Sequence, residues 1–319
     1  MMIARGVKKR SNVGWFNREG KLFYALMIAL PLVQFFIFYI VVNFNSILLA
    51  FQNYSNYGGV ETRTWVRLAN FEEVWSVLTT DPGHSLQLCF RNSFIFFGAD
   101  ILIVMPLCLL FSYYIFKKGF LGDFFKVMLF LPSVVCSMVF VVFYNYFVED
   151  AITSIFNAMG TEHPIATILG KGDWGAMFTL LFFYIWINFS GSILLYLNAM
   201  SSVPSSTIEA AKIDGAGEFG IFFHVILPGC WKTIVSLFLI SLALTASSQA
   251  YLFSFYAGNA PIEMQTLGYY QFMLVIASGQ ENPVSYPIAS AYGVLLTLII
   301  APLTFLARYL LNKFGPSED

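Results

Sequence analysis

Polar residues stand at helical spacing inside otherwise apolar stretches of this sequence, and they are the ones with chemistry to offer. Ser241, Thr245 and Ser248 follow i, i+4, i+7, with Gln249 beside them. Tyr184, Asn188 and Gly191 share a second face, with Ser192 adjoining. Hydroxyl and amide groups form hydrogen bonds without carrying charge, and aromatic rings stack on flat apolar faces. Such stripes suit a hydroxyl-rich solute in a cavity, although Ser and Thr also bond backbone or join helices. Asp100 is the one acid well inside an apolar run, where it is paired, lies near an interface or joins a proton relay. Tyr144 and Asn145 fall late in their apolar run. Covalent chemistry finds no such support. His84, His163 and His224 lie in three different loops, and no Ser/His/Asp grouping comes together. Cys89, Cys108, Cys136 and Cys230 include no CxxC pair and no clustered metal ligands.

The elements that position these residues are membrane helices. The chain has 319 residues, 58% hydrophobic and 11% charged, where a soluble domain carries about 25% charge. So little charge does not cover a water-facing surface, and lipid is the implied surrounding. The net charge of −1 gives no basic excess for a nucleic-acid partner. A spanning helix needs about 20 apolar residues. Six segments qualify: 22–44, 93–116, 126–148, 176–199, 233–256 and 288–311. Pro106 is expected to kink the second of them.

Of the 17 Lys and Arg residues, only Arg63, Arg67, Arg91 and Lys171 fall in the loops on one side, which leaves 13 for the other. The positive-inside rule then puts both termini in the cytoplasm. The chain reads as a basic tail (1–21), a six-helix domain (22–313) and a short C-terminal tail (314–319). No internal repeat or soluble domain is visible.

The cytoplasmic stretch 203–228 is the most informative. Ser206 and Glu209 fit a capping box. Ala210 and Ala211 favour helix, and Gly215 and Gly217 allow a turn. Phe219, Phe222 and Phe223 make an apolar face that calls for a partner. Gly215-x-Gly217-x-x-Gly220 matches a dinucleotide fingerprint in letters, but a helix precedes it where that fingerprint needs a strand.

Glu209-Ala210-Ala211, Gly215, Val225 and Leu227-Pro228 resemble the EAA signature of binding-protein-dependent ABC importer permeases, with Val225 where Ile is more usual. Asp214-Gly215-Ala216, Phe130-Leu131-Pro132 and the run Ala289 to Gly293 resemble the sugar branch of that family. The likeness covers roughly 20–313. It implies an all-α integral membrane subunit with six transmembrane helices and a helix-turn-helix coupling loop, as in type I importers. Glu209, Ala210, Ala211, Asp214, Gly215, Ala216, Phe222 and Phe223 would meet a cytoplasmic ATPase. Glu209 would anchor the loop, and Phe222 and Phe223 would fill the ATPase groove. Tyr184, Asn188, Gly191, Thr245, Ser248 and Gln249 would line the substrate path.

The implied partners are a second homologous permease, two ATPase subunits, an extracytoplasmic solute-binding protein and membrane lipid. This chain would bind no cofactor and perform no chemistry; ATP and Mg would belong to the ATPase, for no phosphate-loop motif occurs here. The implied cargo is a carbohydrate, with a non-sugar solute as the alternative. An ion-coupled secondary transporter would show inverted repeats and interrupted helices, and neither is legible in the sequence.

Overall fold

A computed structural model describes residues 18–57, 60–80, 85–160, 174–278 and 285–316. The expectations for His84, His163, Lys171, residues 1–17 of the first tail and residues 317–319 of the last lie outside these residues. Four helices are long and apolar enough to cross a membrane: α1 (Phe23–Leu49), α3 (Ser85–Phe116), α6 (Trp174–Ser201) and α12 (Tyr286–Phe314). Two bent pairs bring the number to six if each is one crossing. The first is α4 (Gly122–Pro132) with α5 (Ser137–Ile152), at 87°. The second is α8 (Glu218–Gly229) with α9 (Trp231–Leu244), at 68°. Between them stands α7 (Ser205–Ile213), and α9 is followed by α10 (Leu252–Tyr256) and α11 (Leu267–Ser278). The second helix begins at Ser85, eight residues ahead of the expected 93; the other expected segments begin and end within five residues of these helices, with one exception.

That exception is the fifth segment. The sequence reads as one helix over 233–256, but α9 ends at Leu244 and the chain turns through 245–251. Ala250 and Tyr251 take left-handed backbone at φ 47° and 63°. Neither residue favours that region, and each such conformation costs about 1–3 kcal/mol. Burial of Ala250 and Leu252 offsets the strain. Interrupted helices, unseen in the sequence, are therefore a main feature of the fold. π-helical stretches add to them at Phe36–Val41, Asp100–Val104, Tyr146–Ile152 and Phe222–Ile226. The second of these precedes Pro106, and the expected kink takes this form: the ring removes an N–H and the preceding turn widens.

The chain also carries a small hairpin that the helical reading missed. Strands β1 (Gln52–Tyr57) and β2 (Val60–Trp65) pair antiparallel, with Gln52 opposite Trp65. Helix α2 (Ala69–Thr80) follows, and Asn70 donates from its amide to the carbonyls of Ala50 and Gln52 to tie the two together.

Three apolar clusters position the site. One joins α3, the end of α6, α8 and α9 through Cys108, Ile115, Tyr196, Met200, Ile221 and Ile226. A second joins Phe96, Leu180, Leu252, Met264 and Tyr269. The third packs α12 against α2 and the start of α3. By contrast, α1 is exposed along residues 23–47. A helical stretch apolar all round and left bare by the described residues belongs in lipid or against another subunit.

Candidate functional site

Between the first two clusters lies a cavity of about 490 Å³, within the roughly 300–1,000 Å³ of ligand sites. Helices α3, α6 and α9 and the turn 245–251 form its wall. Tyr184, Asn188, Thr245, Ser248 and Gln249 all line it. Gly191 does not: it is exposed. Helix α6 loses continuity at Ser192, and Ser192 reaches the cavity in its place. Ser248 arrives by a different route from the expected one, on the turn after α9 rather than on a helical stripe.

Residues that the polar stripes did not include complete the wall. Asp100 is the chief of them, and Ser241 donates its hydroxyl to Asp100 Oδ2 across α3 and α9. The Asp100 signal was present in the sequence as an acid inside a span; its pairing with Ser241 was not. Tyr196, Tyr251 and Ser93 also line the cavity, and their separation in sequence gave no sign of it. Asn188 donates to the Tyr184 carbonyl at 2.8 Å, which leaves its amide oxygen for other donors. Tyr144 is buried and donates to the Thr179 carbonyl at 2.9 Å, while Asn145 keeps a buried side-chain oxygen without a partner among the described residues.

The segment 260–269 packs beside the cavity, where Thr266 joins the lining. Buried Asn92 donates to the carbonyls of Glu263 and Gln265 at 2.7 and 2.9 Å. Ser93 accepts from the Leu267 N–H, and Thr266 donates to the Ser248 carbonyl. Gly268 lies so close that a Cβ there would stand 2.3 Å from the Ser247 backbone.

The far side of the first cluster carries the α7–α8 hairpin. Helix α7 begins at Ser205 with Pro204 as its cap and no side-chain cap bond, so the Ser206–Glu209 capping box does not form. Proline at the N-terminus replaces it by fixing φ. The C-terminal end is a Schellman motif: the Ala216 N–H bonds the Ala211 carbonyl, and the Gly215 N–H bonds that of Lys212. Gly215 takes φ +82° there, which an L side chain resists. Gly217 is extended and needs no such freedom. Ala211 and Ala216 lie half-buried against the first cluster, so larger residues would lift the hairpin. Asp214 is the C-cap, and Glu209 and Ala210 are exposed.

The phenylalanines divide. Phe222 is 5% exposed and packs on Tyr113 with ring centroids 4.9 Å apart; it belongs to this protein's own core and is not free to fill a partner's groove. Phe219, Phe223 and Ile213 are 80%, 55% and 85% exposed. Within the chain, the hairpin's charged anchor is Glu218. Its carboxylate accepts from Lys117 Nζ at 2.8 Å and from the Tyr113 hydroxyl at 2.8 Å, which ties α8 to the end of α3. Among the described residues no group of three His, Cys, Asp or Glu side chains converges on a metal position. The fingerprint glycines 215–220 follow a helix, and the described sheet is a hairpin elsewhere in the chain.

A bundle of interrupted helices around a polar cavity, with an amphipathic hairpin projecting at one end, defines a membrane transport subunit. The chain belongs to the family described as binding-protein-dependent transport system inner membrane component, matched over residues 105–316. It is an ABC importer permease, a transport component and not an enzyme. It is 27% identical over 307 residues to a probable starch degradation products transport system permease, AmyD, of Thermoanaerobacterium thermosulfurigenes, covering 93% of this chain and 96% of that one. It is 28% identical over 193 residues to the multiple sugar-binding transport system permease MsmF of Streptococcus mutans, a match that spans 60% of this chain and 64% of that protein. A chain of a solved bacterial ABC transporter for import of the acidic polysaccharide alginate has the same fold, with a TM-score of 0.73 at 17% identity, covering 93% of this chain and 97% of that one.

Proposed function

We propose that this permease translocates a carbohydrate across the cytoplasmic membrane by alternating access, through the cavity between α3, α6 and α9. The cavity itself carries the reading: uncharged hydroxyls and amides stand beside Tyr184, Tyr196 and Tyr251, the mixture that binds hydroxyl-rich rings. The sugar-transport names of AmyD and MsmF point the same way.

Both termini are cytoplasmic on this reading, which the 13 to 4 division of basic residues supports. The α7–α8 hairpin then projects into the cytoplasm, where Ile213, Phe219 and Phe223 dock on one of two ATPase subunits. Glu209 and Ala210 contribute the exposed polar flank of that contact. A second permease and lipid cover the bare face of α1. An extracytoplasmic binding protein delivers the sugar at the opposite end, near the segment 260–269. ATP and Mg are held by the ATPases.

The test is co-purification of the chain with its ATPase in detergent, wild type against Phe219→Ala/Phe223→Ala, followed by an ATPase assay of the eluate. The double variant is expected to lose the ATPase or its coupling while the permease stays folded. A chain that purifies alone and transports in vesicles without ATP would overturn the assignment.

A further inference from the structure

We infer that the cavity admits neutral oligosaccharides and turns away uronate-bearing ones, with Asp100 as the residue that reads the difference; this rests on the carbohydrate reading above. Asp100 is the one carboxylate among the side chains lining the cavity, and no Lys, Arg or His stands among them. Every other polar group there is a hydroxyl, an amide or a thiol. A uronate entering this wall meets a negative charge and finds no cation from this chain to pair with.

The carboxylate is also placed to be used. Ser241 donates to Oδ2, while Oδ1 takes no hydrogen bond from the described residues. An ionised carboxylate has about four lone-pair sites, so one donor leaves room for sugar hydroxyls. Hydrogen bonds to an ionised acceptor are about twice as strong as neutral ones. Asp100 opens the π-helical stretch Asp100–Val104, an irregularity often found at functional positions. Its bond to Ser241 joins α3 to α9, which fixes the charge on two helices rather than on a loop. One group therefore attracts a neutral sugar and repels an anionic one. An unpaired like charge is a sufficient device for rejecting the wrong ligand, and a wall built on apolar helices screens it less than open water does.

The experiment uses the assembled transporter in nanodiscs without its binding protein, so that the delivering protein's own selectivity does not enter. Radiolabelled maltotriose and trigalacturonate are the probes. Wild type is expected to bind maltotriose at least about tenfold more tightly, and the ratio should shrink as salt is raised. Asp100→Asn should narrow the ratio about tenfold, with Asp100→Ser as the second variant if Asn does not fold. Equal binding of both probes by wild type, or a ratio that neither variant moves, overturns the inference and leaves the carbohydrate reading standing. Binding of neither sugar, with binding of a peptide probe instead, overturns both.

Discussion

At the α7–α8 hairpin large apolar side chains are exposed, and a polar group holds the element down. Ile213, Phe219 and Phe223 are left uncovered while Glu218 bonds to Lys117 and Tyr113 beneath them. At the cavity the arrangement is reversed. Polar groups from Asp100, Asn188, Ser241 and Gln249 stand on the open side, and apolar clusters hold them in place from behind. A surface meant for another protein offers area to remove from water, about 25 cal/mol per Å² of it. A surface meant for a hydrated solute must instead replace the hydrogen bonds that the solute gives up. Helix α9 contributes to both ends, through Ile234 in the first cluster behind the hairpin and through Ser241 at the cavity.

The largest test of this contrast lies at the hairpin. Phe222→Ala removes a buried ring and is expected to cost about 3–5 kcal/mol of stability, read by thermal unfolding in detergent. Its neighbour Phe223→Ala should stay within about 0.5 kcal/mol and lose ATPase association instead. Equal melting losses for the two would erase the division between anchoring and docking rings.

A middle-sized effect belongs to the 260–269 segment beside the cavity. Gly268→Ala sets a Cβ against the Ser247 backbone and should cost about 1–3 kcal/mol by overpacking. Gly191→Ala meets open space and should leave the melt unchanged. If both were silent, the 260–269 segment would not be held as closely as its hydrogen bonds indicate.

The smallest effect is at Glu218. Glu218→Gln should make the hairpin more open to limited proteolysis at low salt, because an exposed ion pair is lost. The difference from wild type should vanish near 1 M salt, where the Debye length falls to about 3 Å. A difference that persists would mean that packing, rather than charge, is what the substitution disturbs.

Hydropathy was enough to locate the long apolar helices other than the broken fifth, because a bilayer demands a length and a composition that few other environments do. The run from Glu209 to Pro228 was legible too, since a turn closed by Gly215 and packed on Ala211 and Ala216 needs small residues at fixed positions. Periodicity also put Phe219, Phe222 and Phe223 on one helical face. It did not tell which of them meets the core, for the seam of the first cluster runs through that face and takes only Phe222. The break at 245–251 left no mark in the sequence, since neither Gly nor Pro stands there. Ala250 and Tyr251 accept left-handed backbone only because residues far along the chain bury them. The Asp100–Ser241 bond joins positions 141 residues apart. Local sequence thus determined which stretches are apolar helix and how the hairpin turns, both of which depend on neighbours within a few residues. Tertiary packing decided where helices break, which aromatic rings stay exposed and which polar groups share a cavity, because those depend on surfaces that exist only once the chain has closed on itself.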